Sequence, residues 1–311
     1  MIGKRAAMAV LTPGLVHTPV TPFTREGDIA FEIYGRLLDF HLASGAQSLA
    51  LPMHIGESVS LTDRERRDVL EFAIARTKGR VPVIAHVSES GSANAAALAG
   101  HAQEAGAAGV IATTPYYWTP PHAMLIEHFV AIGAATELPF FVCNAPDEMQ
   151  GTRITAGLCR ELIAKVPNFA GVVDLGLDWQ FMIQLMTEAP RLRPGFQLIS
   201  GTELMVSAAA IGATGMFSSL AAMAPRMVRE LYELCRAEKL FEARPVQEQL
   251  AALRQAMKGG GVAGFKAAMR VMGRDCGEPR APVLALEAVS LRQLVSALDA
   301  IASLRSEPRG W

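Results

Sequence analysis

Short apolar runs alternate with segments of helical periodicity through the first three quarters of the chain. The runs are apolar on both faces, which is typical of parallel strands covered by helices. We predict eight strands, over Gly14–Thr21, Ser48–Met53, Val81–Val87, Gly109–Pro115, Pro139–Ala145, Phe169–Leu175, Gln197–Glu203 and Gly212–Ser219.

The segments between these runs carry the apolar spacing of amphipathic helices. In one of them Thr62 and Glu65 have the spacing of a capping box, in which a hydroxyl and a carboxylate each bind a free backbone amide. The predicted helices are Ile29–Ala43, Asp63–Thr77, Ala93–Glu104, His122–Ala134, Thr155–Val166, Trp179–Glu188, Leu204–Ala210 and Pro225–Ala237.

Eight strand–helix units of this size predict the α/β class, specifically a (β/α)8 TIM barrel. A doubly wound open sheet is the competing architecture. After residue 237 the strands stop, and three helices follow over Glu238–Met257, Gly261–Met272 and Leu291–Leu304. We therefore predict a barrel over residues 1–237 and a C-terminal helical extension over 238–311, with the glycine run 259–261 as a flexible break.

Composition and charge narrow the class of protein. Half of the 311 residues are hydrophobic, which is enough for a large core, and the net charge of -1 gives no reason to expect nucleic acid or an anionic membrane as a partner. The apolar run near the start is too short for a signal peptide, and no run is long enough to span a bilayer. The four cysteines form no CxxC pair, so we expect a cytoplasmic protein with reduced thiols. No GxGxxG motif follows a predicted strand and no P-loop lysine is present, so we expect no cofactor.

Polar residues gather at the carboxyl ends of the predicted strands, where barrels place their chemistry. Histidines end or follow the first three strands, as His17, His54 and His86. The other strand ends carry Ser58, Tyr116, Tyr117, Trp118, Cys143, Asn144, Asp147, Glu148, Asp174, Thr202, Glu203, Ser218 and Ser219.

Several short motifs occur together along the chain. They are Val20-Thr21-Pro22-Phe23, Gly56-Glu57-Ser58, Thr114-Pro115-Tyr116-Tyr117, Asn144 with Pro146, Ser200-Gly201 and Lys266-Ala267-Ala268. With these motifs the chain resembles the dihydrodipicolinate synthase / N-acetylneuraminate lyase family, from about residue 14 into the helical tail. The resemblance implies a barrel with a helical extension, a homotetramer built from two dimers, and lyase, aldolase or hydratase activity on 2-oxo acids.

The resemblance also implies a lysine on the sixth strand that holds the oxo acid as a Schiff base. The position that matches it is Val173, and valine has no amine. Of the other lysines, Lys165 precedes the sixth strand and Lys266 lies in the tail, so neither replaces it. We therefore expect a divergent member that lacks the Schiff-base lysine and is not a genuine dihydrodipicolinate synthase.

Further family positions have changed. The catalytic tyrosine of the fifth strand aligns with Cys143, the carboxylate-binding arginine aligns with the acidic segment 147–148, and the Gly-Thr-Thr motif becomes residues 53–55. Cys143 is either a nucleophile with a histidine partner or a small apolar filler. The aromatic residue that reaches the neighbouring site across the dimer interface is retained as Tyr117, and Phe217 aligns with a position that lines the pocket.

The three histidines permit a second interpretation. Neighbouring strands lie about 4.8 Å apart, so His17, His54 and His86 can meet, with Asp174 opposite them, and hold Zn²⁺ for a hydrolase or aldolase. No HxH or HExxH spacing supports this, and hydrogen-bonded polar residues are the simpler interpretation.

Three functional hypotheses remain. The first is a lyase-like enzyme without a Schiff base, with His54, His86 and Tyr117 as catalytic residues. Its small oxo-acid-like ligand would be bound by Asp174, Cys143, Ser58, Phe217 and Ser218, with Asp174 orienting a histidine or binding a polar group. The second is a ligand-binding pseudoenzyme. The third is the metal-dependent enzyme.

Overall fold

A computed structural model describes residues 11–146 and 151–311. Eight parallel strands follow one another around a closed barrel in chain order, and the last pairs with the first. This confirms the TIM barrel and excludes the open doubly wound sheet. The strands are β1 Leu15–His17, β2 Ser48–Leu51, β3 Val83–His86, β4 Gly109–Thr113, β5 Phe140–Asn144, β6 Phe169–Asp174, β7 Gln197–Ser200 and β8 Gly215–Ser218.

Every residue of these eight strands is buried, as expected for strands that are covered on both faces. The strands begin and end within a few residues of their predicted positions, with one larger difference. The first strand stops at His17, whereas the apolar pattern predicted it as far as Thr21. Pro19 explains the early end, because proline has no N–H to donate to a neighbouring strand.

Helices lie between the strands and form the extension after them. Thr62 and Glu65 form the predicted capping box at the start of α2. The helices of the described residues are α1 Phe31–Ala43, α2 Asp63–Thr77, α3 Ser92–Ala105, α4 His122–Ala134, α5 Ala156–Lys165, α6 Trp179–Leu192, α7 Met205–Ala209, α8 Pro225–Arg236, α9 Leu240–Met257, α10 Gly261–Val271 and α11 Ala288–Ala300.

The glycine run at 259–261 is not the flexible break that the sequence predicted. Residues Lys258–Gly260 form a short 3-10 turn that joins α9 to α10 directly, and Gly261 has a φ of +50°. Glycine therefore serves here to turn the chain sharply between two packed helices. No helix in the described part of the chain is long and apolar enough to cross a membrane.

The contacts divide the chain into two units. The first unit contains Ile84–Ile199, and the second contains Pro13–Val83 with Ser200–Trp311. The first unit carries most of β3 through β7, and the second carries β1, β2, β8 and the helical extension. The boundary predicted after residue 237 stays a prediction.

Candidate active site

The register of β5 and β6 decides which side chains share a face. Cys143 lies opposite Val173, and Asn144 lies opposite Asp174. Side chains alternate along a strand, so Asn144 shares its face with Phe140. The Phe140 ring packs against Phe129 of α4, with ring centroids 6.0 Å apart. Asn144 and Asp174 therefore face the helices, and Cys143 and Val173 lie on the inner face of the sheet.

The same register extends this inner face to β3 and β4. Thr113 lies opposite Cys143. Ile111, two residues before Thr113, lies opposite His86. Three polar side chains and Val173 therefore occupy the inner face at the carboxyl ends of four successive strands, and all four residues are buried. We call His86, Thr113, Cys143 and Val173 the inner-face cluster.

A serine two residues after β3 fixes the histidine of this cluster. The Ser88 hydroxyl lies 2.7 Å from Nε2 of His86 and accepts the backbone N–H of Thr113 at 2.8 Å. The imidazole is thus tied to the neighbouring strand. The Thr113 hydroxyl is buried and forms no hydrogen bond within the described residues. A buried hydroxyl without a partner needs a water or a ligand to satisfy it.

Thr113 is the member that the sequence did not reveal as a site residue. The Thr113-Thr114 pair at the end of β4 is visible in the sequence, but an apolar run has no alternation that shows which threonine faces inward. The pairing of Thr113 with Cys143 shows that Thr113 is the threonine that faces inward.

Asp174 differs from its expected role. Its carboxylate accepts hydrogen bonds from the Asn144 side-chain amide at 2.5 Å and from the backbone N–H of Leu177 at 3.0 Å. Burial raises the pKa of Asp174, and these hydrogen bonds oppose the rise. Because the residue faces the helices, it holds the loop after β6. It orients no histidine in the described residues, so that expectation is corrected.

His17 also faces outward. Its Nδ1 lies 3.1 Å from Nδ1 of His41 on α1, and both rings are fully buried. Burial lowers the pKa of His17 to about 3, which keeps the ring neutral. The proposed cluster of His17, His54 and His86 is therefore wrong. The described residues contain no group of three or more histidine, cysteine or acidic side chains that could hold a metal ion.

Ser218 shares the orientation of His17, because the two residues lie opposite each other on β8 and β1. Its hydroxyl donates to the buried carboxylate of Glu203 at 2.5 Å, and Glu203 also pairs with Arg254 of α9. Ser218 therefore joins a structural network on the helix side, against the expectation that it binds ligand. Phe217 faces inward beside Val16, as a residue that lines the interior would.

The loop after β2 carries two predicted site residues with different environments. His54 is exposed, whereas Ser58 is buried and its hydroxyl has no hydrogen-bond partner within the described residues. Between them Glu57 adopts a left-handed φ of +57° and pairs with Lys266 of α10 at 2.7 Å. The backbone N–H of Arg280 donates to the same carboxylate at 2.8 Å.

Tyr117 lies in the loop after β4 and is 97% exposed, with a φ of +77°. It lies in the same unit as the inner-face cluster, but its side chain points to solvent rather than to buried polar groups. The neighbouring Trp118 is 44% exposed. The acidic segment 147–148 lies outside the described residues.

Lysine is absent from all eight strands of the described barrel. Lys165 ends α5, and the other lysines of the described residues, Lys78, Lys239, Lys258 and Lys266, lie beyond the strands. Lys266 is fully buried and its amine is held by Glu57. The inner-face cluster thus offers an imidazole, a hydroxyl and a thiol, which can donate, accept or move protons but cannot form an imine.

Comparison with known proteins gives a consistent result. Residues 12–301 match the model of the dihydrodipicolinate synthetase family. A 4-hydroxy-tetrahydrodipicolinate synthase of Nitratidesulfovibrio vulgaris is 32% identical over 290 residues, which is 90% of this chain and 95% of the relative. One of Caldicellulosiruptor saccharolyticus is 32% identical over 273 residues, covering 85% of this chain and 88% of the relative.

Solved structures of similarly named synthases superpose on this chain. Dihydrodipicolinate synthase from Aquifex aeolicus superposes with a TM-score of 0.86 at 26% identity, covering 93% of this chain and 97% of that one. The 4-hydroxy-tetrahydrodipicolinate synthase of Methylacidiphilum fumariolicum gives a TM-score of 0.86 at 25% identity, covering 94% and 96%.

Proposed function

Since the chain belongs to the dihydrodipicolinate synthetase family, a family of lyases of the aldolase type, we propose that it acts on a small oxo-acid-like molecule without forming a Schiff base. The observation that carries this proposal is Val173. It lies on the inner face of β6, where the family resemblance places the lysine, and no strand of the described barrel supplies another amine.

His86 is the proposed acid and base of this chemistry. Imidazole exchanges protons near neutral pH, and the hydrogen bond to Ser88 holds the ring in one orientation. The Thr113 hydroxyl would donate to a carbonyl or carboxylate oxygen of the ligand, since it has no partner among the described residues. Cys143 would pack beside the ligand. His54 and Tyr117 stay predicted catalytic residues, and Ser58 stays a predicted ligand-binding residue.

The test compares binding with turnover. We expect a panel of 2-oxo acids, with pyruvate first, to include a ligand that stabilises the protein in thermal unfolding. Thr113→Val keeps the shape of the side chain and removes its hydroxyl, so it should weaken binding roughly tenfold, the loss of one buried hydrogen bond. Thr187→Val, which removes an exposed hydroxyl on α6, is the control. Failure of every 2-oxo acid to bind would contradict the proposal.

A second experiment concerns the reaction of the named relatives. We propose that the purified protein does not condense pyruvate with aspartate semialdehyde, because that condensation proceeds in the family through the lysine that Val173 replaces. A Val173→Lys variant supplies the amine for comparison. Turnover of this pair by the unmodified protein would overturn the proposal.

A ligand-binding protein without catalysis is the second candidate. It is favoured by the loss of two family positions at once, since the inner face carries Cys143 and Val173 directly opposite each other. His86→Gln separates the candidates. It should abolish turnover of a bound oxo acid while leaving binding within about threefold if the protein is an enzyme, and the absence of any turnover in the unmodified protein would favour the binding role.

A further inference from the structure

A cavity of about 320 Å³ is lined entirely by residues of the second unit. The end of α1, the start of α8 and the segment Pro308–Trp311 surround it. Phe40, Pro225 and Trp311 supply apolar wall. The volume lies at the lower end of the range typical of small-molecule pockets, roughly 300–1,000 Å³.

Three arginines also line this cavity, namely Arg226, Arg229 and Arg309. Arg226 and Arg309 each donate to a backbone carbonyl, and neither has a carboxylate partner among the ion pairs of the described residues. Arg229 makes a loose contact with the exposed Glu233, at 3.9 Å. The cavity therefore carries an excess of positive charge.

One buried acid, Glu307, lies beside this group of arginines and offsets part of its charge. Glu307 is buried, and its carboxylate accepts the backbone N–H groups of Arg226 at 3.0 Å and Met227 at 2.8 Å. It thereby caps the first turn of α8. Two further arginines stack on rings that line the cavity. The guanidinium carbon of Arg36 lies 4.9 Å from the centroid of the Trp311 ring, and that of Arg274 lies 4.3 Å from the centroid of the Phe40 ring.

Arg274 also holds the cavity wall in place. Its buried guanidinium donates to the carbonyl of Pro308 at 3.0 Å and to that of Gly310 at 2.6 Å. The backbone N–H of Gly310 donates in turn to Met272 at the end of α10, at 2.8 Å. The tail that carries Arg309 and Trp311 is thus fixed to the body of the second unit, so a ligand would meet a preformed wall.

We propose that this cavity binds a small organic anion, with a carboxylate or phosphate head on an apolar, preferably aromatic, body. The guanidinium groups suit an anionic oxygen head, because their planar forks match it in pairs. The rings of Phe40 and Trp311 suit the body. Nothing in this site takes part in the chemistry proposed for the inner-face cluster.

Titration calorimetry with phenyl phosphate tests the proposal on the full chain. We expect saturable binding that weakens as sodium chloride is added, because the three arginines are exposed to solvent. Benzyl alcohol, which lacks the charge, should not bind. Inorganic phosphate, which lacks the ring, should bind at least about tenfold more weakly, the effect of losing a modest apolar contact.

Substitutions of residues that line the cavity test whether phenyl phosphate binds there. Arg229→Gln and Arg309→Gln should each weaken phenyl phosphate binding roughly fivefold to tenfold through the loss of a charged hydrogen bond. Trp311→Ala should weaken it independently of charge. Arg244→Gln removes an exposed arginine of α9, which is paired with Glu248 four residues later, and should change nothing.

The proposed site would be wrong if phenyl phosphate showed no saturable binding. It would also be wrong if the affinity stayed unchanged in all three variants, Arg229→Gln, Arg309→Gln and Trp311→Ala. Equal affinity for inorganic and phenyl phosphate would contradict the proposal that the ligand has an apolar body. Thermal unfolding of each variant at the wild-type temperature shows that any loss of binding is local.

Discussion

Two neighbouring residues, Val173 and Asp174, show what the sequence reveals about single positions and what it does not. The sequence shows that valine stands where the family resemblance expects lysine. It does not show which of the two side chains faces inward, because the strand is apolar on both faces and has no alternation. The register with β5 assigns Val173 to the inner face and Asp174 to the helices.

The buried histidine pair of β1 and α1 predicts a pH dependence of stability. Burial lowers the pKa of His17 to about 3 from an ordinary value of 6.5. Between these values the unfolded chain binds a proton that the folded chain does not, so the free energy of unfolding should fall as the pH falls from 6.5 towards 3. His17→Gln should make this fall less steep in urea unfolding followed between pH 6.5 and 4.

The control for this experiment is His122→Gln, because His122 is half exposed and is not part of the pair. The slopes of the two variants are compared, and His17→Gln should give the shallower one. A slope that is unchanged in His17→Gln would show that the pair does not govern the acid sensitivity. His41 keeps part of the effect in the variant, since burial first, and the charge of Arg274 after it, hold its pKa well below the ordinary value.

At the scale of elements, a buried ion pair joins α10 to the loop after β2. Lys266 and Glu57 are almost completely buried and lie 2.7 Å apart. Lys266→Met removes the cation and leaves a buried carboxylate, which typically costs about 3–5 kcal/mol of unfolding free energy. Urea unfolding measures the loss. The exposed Lys239 beside Glu242 offers the control, and Lys239→Met should cost less than about 1 kcal/mol.

A loss below about 1 kcal/mol in Lys266→Met would show that this ion pair does not hold the loop. Adding Glu57→Gln to Lys266→Met should recover part of the stability, because the isolated charge is then removed. The sequence identified both residues as parts of motifs but gave no sign that they pair, since 209 positions separate them.

We predict that the loop after β4 contacts another subunit of the protein. Tyr117 is 97% exposed with a left-handed backbone, and the family resemblance places this aromatic residue at a dimer interface. Tyr117→Ala should shift the protein towards smaller assemblies in sedimentation velocity without changing its thermal unfolding as a dilute protomer. Phe241→Ala removes a side chain that is 87% exposed on α9 and serves as the control. Equal sedimentation of both variants would contradict the interface role.

The ends of helices and strands were predictable where a local sequence signal marks them. The capping box of Thr62 and Glu65 starts α2 as predicted, because its local chemistry is complete in four residues. The glycine run at 259–261 was misinterpreted as a flexible break. Composition alone does not distinguish a linker from a tight turn, and the packing of α9 and α10 on either side decides between them.

At the scale of the whole molecule, the barrel followed from eight repeated strand–helix units together with the family motifs. The predicted cluster of His17, His54 and His86 is wrong, although all three histidines end or follow neighbouring strands. Strand order alone gives no information on facing, and His17 contacts α1 instead. The inner-face cluster emerged only from the pairing of β3, β4, β5 and β6.

The central claim is that this member of the family forms no Schiff base, and borohydride reduction in the presence of pyruvate followed by intact mass measurement tests it most directly. The unmodified protein should keep its mass, whereas Val173→Lys should gain the mass of a reduced pyruvate adduct. The variant shows that the conditions trap an imine when an amine stands at residue 173. An adduct on the unmodified protein that peptide mapping places at a lysine would contradict the claim.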